Sequence, residues 1–397
     1  MAEFEPRRAF EHLDKLAYEI GPRLAGARGE QQAAEYIHKQ LESYGYKVDV
    51  QEFNVVDRAA RTQVGAGLLA VAFISTLFLP EIIAIATFLI ALAIFSALPK
   101  LMPKRKSKNI IATSAQEKPN KRLLITAHYD SARCIVSYKL QVFVKLTLIP
   151  LILGTLVFLL VGAAGVLQIS WWLIWLVLAF IFLPVCGSMF VAARGRQVSP
   201  GANDNASGIA VMLEIARVAR ESPPADSEFT FVAFGAEEQG LVGSRAFVRK
   251  QKFDGKNLAV LNLDMVGAGK QAFIVEGNGL IRRRRTPRKL NESLINCCER
   301  VGLKPKLWWA VLAGHDHIPF LRARLPATTF TLDSPGTGKL EPRLGKIFGL
   351  PDTRGRGYRY IHTMEDMPEK IELKNIELAG RVVLEFIKSP FLLPTSP

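Results

Sequence analysis

The octapeptide Gly201-Ala202-Asn203-Asp204-Asn205-Ala206-Ser207-Gly208 surrounds one carboxylate with small residues. A helix-like apolar run follows at Ala210, Met212, Leu213, Ile215, Ala216 and Val218. Such a loop is expected to hold Asp204 at a helix N-terminus with its oxygens free, a placement that suits a metal ion. Groups able to share that ion occur elsewhere. His128 and Asp130 close the apolar run 123–127, and Glu237 and Glu238 follow the apolar run 229–234. Asp264 ends 260–263, and His362 follows a Gly/Arg-rich loop and precedes Thr363, Glu365 and Asp366. Taken singly, a Glu-Glu pair reads as solvated surface and a histidine as merely hydrogen-bonded; their joint placement changes that reading.

Three buried-type strands, each delivering acids or imidazoles at its C-terminal end, mark the usual position of a site in an open α/β sheet. Helices are expected over 206–220, 241–250, 290–301, 317–323 and 373–388, with strands between them. Upstream, two helices and a strand at 46–50 precede residue 54. The expected fold class is α/β: a three-layer α/β/α sandwich around a mostly parallel or mixed central sheet.

Four apolar runs interrupt this pattern. Residues 64–98 carry one charge, Glu81 beside Pro80, flanked by two runs slightly short of a ~30 Å hydrocarbon core. Residues 146–166 and 170–193 are long enough to span, are joined by Leu167-Gln168-Ile169, and place Trp171, Trp172 and Trp175 where interfacial aromatics sit. Each insertion must return to the same soluble domain, so each is expected to be a hairpin, about four transmembrane helices in all. The expected organisation is one soluble domain in three parts, 1–63, 100–141 and 194–397, with transmembrane hairpins at 64–99 and 142–193. Arg58, Arg61, Lys100, Lys104, Lys139, Arg194 and Arg196 flank the hairpins, whose turns carry no Lys or Arg. The positive-inside rule then puts the soluble domain in the cytosol of a multi-pass membrane protein. Glu81 and Lys145 are too few for an ion pathway, which argues against a transporter.

The chain has 397 residues and a formal net charge of +15. That excess calls for an anionic neighbour; with no basic stripe interleaved with aromatics, a membrane surface fits better than nucleic acid. Arg282 to Arg285 with Arg288 and Lys289 form the densest basic run, a solvated loop or a contact for anionic lipid headgroups. Cys134, Cys186, Cys297 and Cys298 show neither metal spacing nor a disulfide framework. No signal peptide is expected at the amino terminus.

The motifs together resemble the co-catalytic zinc aminopeptidases of the bacterial leucyl aminopeptidase type, whose relatives include carboxypeptidases, glutaminyl cyclases and the transferrin receptor ectodomain. They are His128-x-Asp130, the Asp204 loop, Glu237-Glu238 with Gly240 and Gly243-Ser244, the strand end 262–267, and His362-Thr363. Residues 21–26 and 33–37 read like that family's opening loop and helix. The resemblance implies two zinc ions per chain bridged by Asp204, one completed by His128 and Asp264, the other by Glu238 and His362. It implies Glu237 as general base and Asp130 as acceptor from the far nitrogen of His128.

His315-Asp316-His317-Ile318-Pro319-Phe320 corresponds to a pocket-lining segment, which implies Asp316 and His317 near substrate and neither histidine as a ligand. His315 departs from the small residue usual there. The implied function is a membrane-embedded aminopeptidase acting on peptides or membrane-protein amino termini. His128 and Asp204 each lie about ten residues from an apolar run, ~30 Å of extended chain, which keeps the expected site close to the bilayer. The alternatives are a single-zinc, cyclase-like acyltransferase and an inactive receptor or scaffold.

Overall fold

The computed structural model describes residues 3–397 except 77, 80, 115–120, 135–146, 149, 158–159, 162–170, 193–194, 196, 224–226, 252, 254–256, 334–339, 354–357 and 390–397. Lys139, Lys145, Arg194, Arg196 and the 167–169 turn lie outside the described residues, as do the side chains of Glu81, Trp171, Trp172 and Trp175. The chain divides into two compact units. One comprises Met1–Val55, Arg105–Arg133 and Val198–Pro397; the other comprises Val56–Lys104 and Cys134–Gln197.

In the first unit the described strands form one mixed nine-stranded sheet in the order β1-β2-β4-β3-β5-β9-β6-β7, with β8 on β6. The strands are β1 (Lys47–Val55), β2 (Arg105–Thr113), β3 (Lys121–His128), β4 (Ser227–Phe234), β5 (Leu258–Leu263), β6 (Gln271–Asn278), β7 (Arg284–Arg285), β8 (Lys306–Ala310) and β9 (Ala327–Asp333). The core quartet β4-β3-β5-β9 is parallel; β1, β2 and β6 join antiparallel. Helices cover both faces, so the central strands are buried on both sides and read as unbroken apolar runs. Leu123, Ile125 and Ala127 pack beneath helices α1 (Pro6–Asp14), α2 (Arg28–Ser43), α6 (Ser207–Glu221), α8 (Arg288–Arg300) and α11 (Leu373–Lys388). Leu124, Val232 and Phe234 pack on the other face with Phe247 of α7 (Val242–Lys250) and Phe320 of α9 (His317–Arg322).

β2 opens on basic residues: Arg105, Lys106 and Lys108 pair with Val55, Asn54 and Glu52 of β1. Charged residues are tolerated there because β1 is an edge and β2 its neighbour, with solvent in reach of one face.

In the second unit, α3 (Arg58–Thr76), α4 (Glu81–Leu101) and α5 (Trp171–Ala192) pack around Leu69, Phe73, Phe88 and Phe182. Phe73 and Phe182 stack with ring centroids 4.4 Å apart. At Gly65 a Cβ would lie 2.3 Å from the Phe95 ring, so the ring packs directly on the α3 backbone there. Outward residues are apolar: Phe78 and Phe180 are each 81% exposed. Among the described residues one helix, Ile82–Leu101, is long and apolar enough to cross a membrane. Of the four expected spans the described residues support this one; α3 does not meet the same test, and much of the second pair of runs lies outside the described residues.

Candidate metal centre

Strand register brings the donors level. Thr126 of β3 pairs with Asn262 of β5, so His128 and Asp264, each two residues further on, end side by side. On the other flank His128 pairs with Phe234 of β4, and the turn beyond it carries Glu237 and Glu238. Asp204 enters from the loop before α6, and His362 from a turn in which it has φ 53°.

The Asp204 carboxylate faces two ways. Its Oδ1 lies 3.2 Å from His128 Nε2, and its Oδ2 lies 3.0 Å from His362 Nε2. Glu238 Oε1 is 3.2 Å from the same nitrogen of His362. Donor atoms of His128, Asp204 and Asp264 fall within 4.8 Å of one another, and so do those of Asp204, Glu238 and His362. The five residues thus form two three-donor groups that share one carboxylate.

Asp204 does not sit in a regular helix N-terminus as the sequence suggests. Its φ of −115° and ψ of 87° break the helical path, and α6 starts at Ser207. The reason lies in its neighbours, which tie the loop to the end of β5. Asn205 donates to Leu263 O at 2.8 Å and accepts from the Met265 N–H at 3.1 Å. Asn203 Oδ1 accepts from the Gly267 N–H at 2.9 Å, and Ser207 Oγ from the Val266 N–H at 3.0 Å. Three polar side chains therefore set the distance between Asp204 and Asp264. From behind, the Asp366 carboxylate accepts from the N–H groups of Asn203 and Asp204 at 2.8 and 3.2 Å. Asp366 thus supports the Asp204 loop.

Asp130 has a broader role than orienting His128. Its carboxylate accepts the backbone N–H of Glu237 at 2.9 Å and of Glu238 at 3.1 Å. His128 Nδ1 lies 3.2 Å from the Asp130 carbonyl and 3.6 Å from its carboxylate. One residue thus links the β3 imidazole to the turn that presents both glutamates.

Sequence reasoning missed Arg23. Its buried guanidinium donates to the carbonyls of Leu16, Gly21, Tyr129, Pro200 and Gly201 at 2.6 to 2.9 Å. Burial lowers its pKa to about 10, with Asp366, Asp130 and Asp204 opposing, so it stays charged at neutral pH. It joins the amino-terminal loop, the end of β3 and the start of the Asp204 loop.

His315 and His317 differ in position. His315 Nδ1 lies 2.5 Å from Asp264 Oδ2, which makes His315 a positioning residue for that carboxylate. His317 is buried, with Nδ1 2.6 Å from Thr329 Oγ1 and Nε2 3.3 Å from Asn278. Asp316 is buried too, and burial raises its carboxyl to about 7, with Asp130 and Asp264 adding to the rise. Both residues are buried, His317 at the start of α9 and Asp316 just before it. We predict that His315→Ala weakens metal affinity by about 10–100-fold. Chelator competition would read this, and restoration by His315→Gln would separate orientation of Asp264 from simple loss of packing.

The donors fit cations. His128 and His362 lie among the carboxylates of Asp204, Glu238 and Asp264, an acid-rich setting. Burial raises the Glu237 carboxyl well above its ordinary range; His128 opposes the rise, and Glu238, Asp316 and Asp264 reinforce it. Oxygen and imidazole donors without thiolate, in three-donor groups, suit zinc with an open coordination position.

Residues 188–387 match the model of peptidase family M28. The chain belongs to that family. Over 188 residues it is 35% identical to aminopeptidase YwaD of Bacillus subtilis, covering 47% of this chain and 36% of that one. A further match, 44% identical over 76 residues, is a probable lipoprotein aminopeptidase of Mycobacterium tuberculosis, with 19% of this chain and 15% of that one covered. The chain thus spans little more than a third of the length of the first curated relative and less of others. Among solved structures, a zinc aminopeptidase from Bacillus subtilis superposes with TM-score 0.58 at 22% identity, covering 98% of this chain and 95% of that one. A Bacteroides thetaiotaomicron glutaminyl cyclase gives 0.59 at 16%, with 98% and 99% covered. These two likenesses establish the zinc exopeptidase fold.

Proposed function

We propose that this M28 chain is a membrane-embedded zinc aminopeptidase with two zinc ions per chain. One observation carries the reading: the two oxygens of Asp204 each face a different histidine, and each oxygen has its own set of further donors. His128 and Asp264 would hold one ion, Glu238 and His362 the other, with Asp204 between them. Zinc bound there polarises a carbonyl and makes water a better nucleophile. Glu237 takes the proton from the attacking water and passes it to the departing amine. Asp130, through the N–H groups of Glu237 and Glu238, fixes the base and its neighbouring ligand together.

The membrane part of the proposal rests on the helix Ile82–Leu101 and on the length and composition of 146–166 and 170–193. It comprises hairpins at 64–99 and 142–193 inserted between peptidase segments 1–63, 100–141 and 194–397. The basic flanks of the hairpins support a cytosolic peptidase domain. Substrates are then unblocked peptides, including amino termini of proteins held at a bilayer. Incubating the detergent-solubilised chain with a peptide and its acetylated twin tests the activity. Release of the first residue from the unblocked peptide alone is expected. Release from the carboxyl end would make it a carboxypeptidase, a pyroglutamyl product from a glutaminyl peptide would make it a cyclase, and no product would make it a scaffold.

A further inference from the structure

The arginine run at 282–285 divides into two sets. Arg283 Nη2 donates to Phe348 O at 2.5 Å, and Arg285 lies over the Trp309 ring at 5.3 Å with Glu276 at 3.9 Å. Arg282 and Arg284 have no carboxylate partner among the described residues. Two further arginines with no carboxylate partner among the described residues lie on neighbouring helices. Arg245 is on α7 and Arg322 on α9, helices joined through the Phe247–Phe320 ring contact at 6.0 Å. Arg284 pairs with Asn278, whose side chain touches His317 at the start of α9. Burial and then the charges of Arg245, Arg284 and Arg282 lower the Arg322 pKa. Four like charges gathered by different elements repel one another unless an anion covers them.

The same surface exposes large apolar side chains. Ile281, beside Arg282, is 89% exposed. Ile347, at the end of a helix Leu340–Ile347, is 72% exposed, and the adjoining Phe348 is 45% exposed where Arg283 holds its carbonyl. A soluble anion or an acidic peptide would account for the arginines but would leave these apolar tips in water. A bilayer accounts for both, with headgroup phosphates on the guanidinium groups and the isoleucines at the acyl boundary.

We propose that Ile281, Ile347 and Phe348, together with Arg245, Arg282, Arg284 and Arg322, form a docking face that seats the peptidase unit on an anionic lipid surface. The face is built by the peptidase unit alone. It extends the membrane reading above, but its test does not depend on any helix spanning.

The experiment uses the full chain with Ile281→Cys in a Cys134→Ser background, labelled with an environment-sensitive fluorophore. The protein is presented with phosphatidylcholine vesicles, with the same vesicles containing one quarter phosphatidylserine, or with inorganic phosphate alone. A blue shift and loss of iodide quenching only with phosphatidylserine are expected, reversed by high salt and absent in Arg282→Glu/Arg322→Glu. Equal emission with both vesicle types, or the same response to inorganic phosphate, overturns the proposal. Carbonate extraction separates the two readings: a chain stripped from membranes that still shows the shift refutes spanning and keeps the docking face. A chain that resists stripping yet shows no shift does the reverse.

Discussion

Glu237→Gln is expected to lower turnover by about 10²–10⁴-fold while leaving metal content unchanged, measured by steady-state hydrolysis of an aminoacyl amide beside elemental analysis. Glutamine preserves the size of the side chain and the backbone N–H that Asp130 holds at 2.9 Å, so the turn carrying Glu238 stays in place. Only the capacity to accept a proton is lost. KM should change little, because Glu237 is no part of the two three-donor groups. Loss of metal together with activity would mean that Glu237 is a ligand and that the division of labour between the paired glutamates is wrong.

Arg23→Ala should have the larger structural effect. Removing the guanidinium takes a donor from five carbonyls in three separate parts of the chain, of which Leu16 O and Gly201 O keep the N–H groups of Gly21 and Ala206. An unsatisfied buried polar group costs about 1–3 kcal/mol, so even with partial rescue by water the loss reaches several kcal/mol, a large part of ordinary domain stability. Lysine is a poor substitute, since an ammonium offers three donors from one point where the fork offers five in a plane. The expected outcome is a thermal midpoint many degrees lower for both Arg23→Ala and Arg23→Lys, followed by thermal unfolding in detergent. An unchanged midpoint for Arg23→Lys would show that charge alone, opposite Asp130, Asp204 and Asp366, is what the site needs.

The candidate site was legible because acids and imidazoles break the pattern of the strands that present them. His128, Glu237-Glu238 and Asp264 stand out at the ends of apolar runs, and parallel register turns those ends into one cluster. Supporting residues left no such mark. Arg23 acts on carbonyls as far away as Gly201, and Asp366 on the backbone of Asn203 and Asp204; neither distance has a local signature. His315 was visible as a departure from a small residue, but its contact with Asp264 follows from where β8 and α9 lie. The basic start of β2, Arg105 to Lys108, has no strand signature either, since pairing with the edge strand β1 admits charges.

The most direct test of the account is the metal content of the purified full chain, by elemental analysis, in wild type and Asp204→Ala. The shared carboxylate predicts close to two zinc ions per chain in the wild type and loss of both on substitution, because each three-donor group would fall to two. One ion per chain in the wild type, or two that survive Asp204→Ala, would contradict a centre bridged by Asp204.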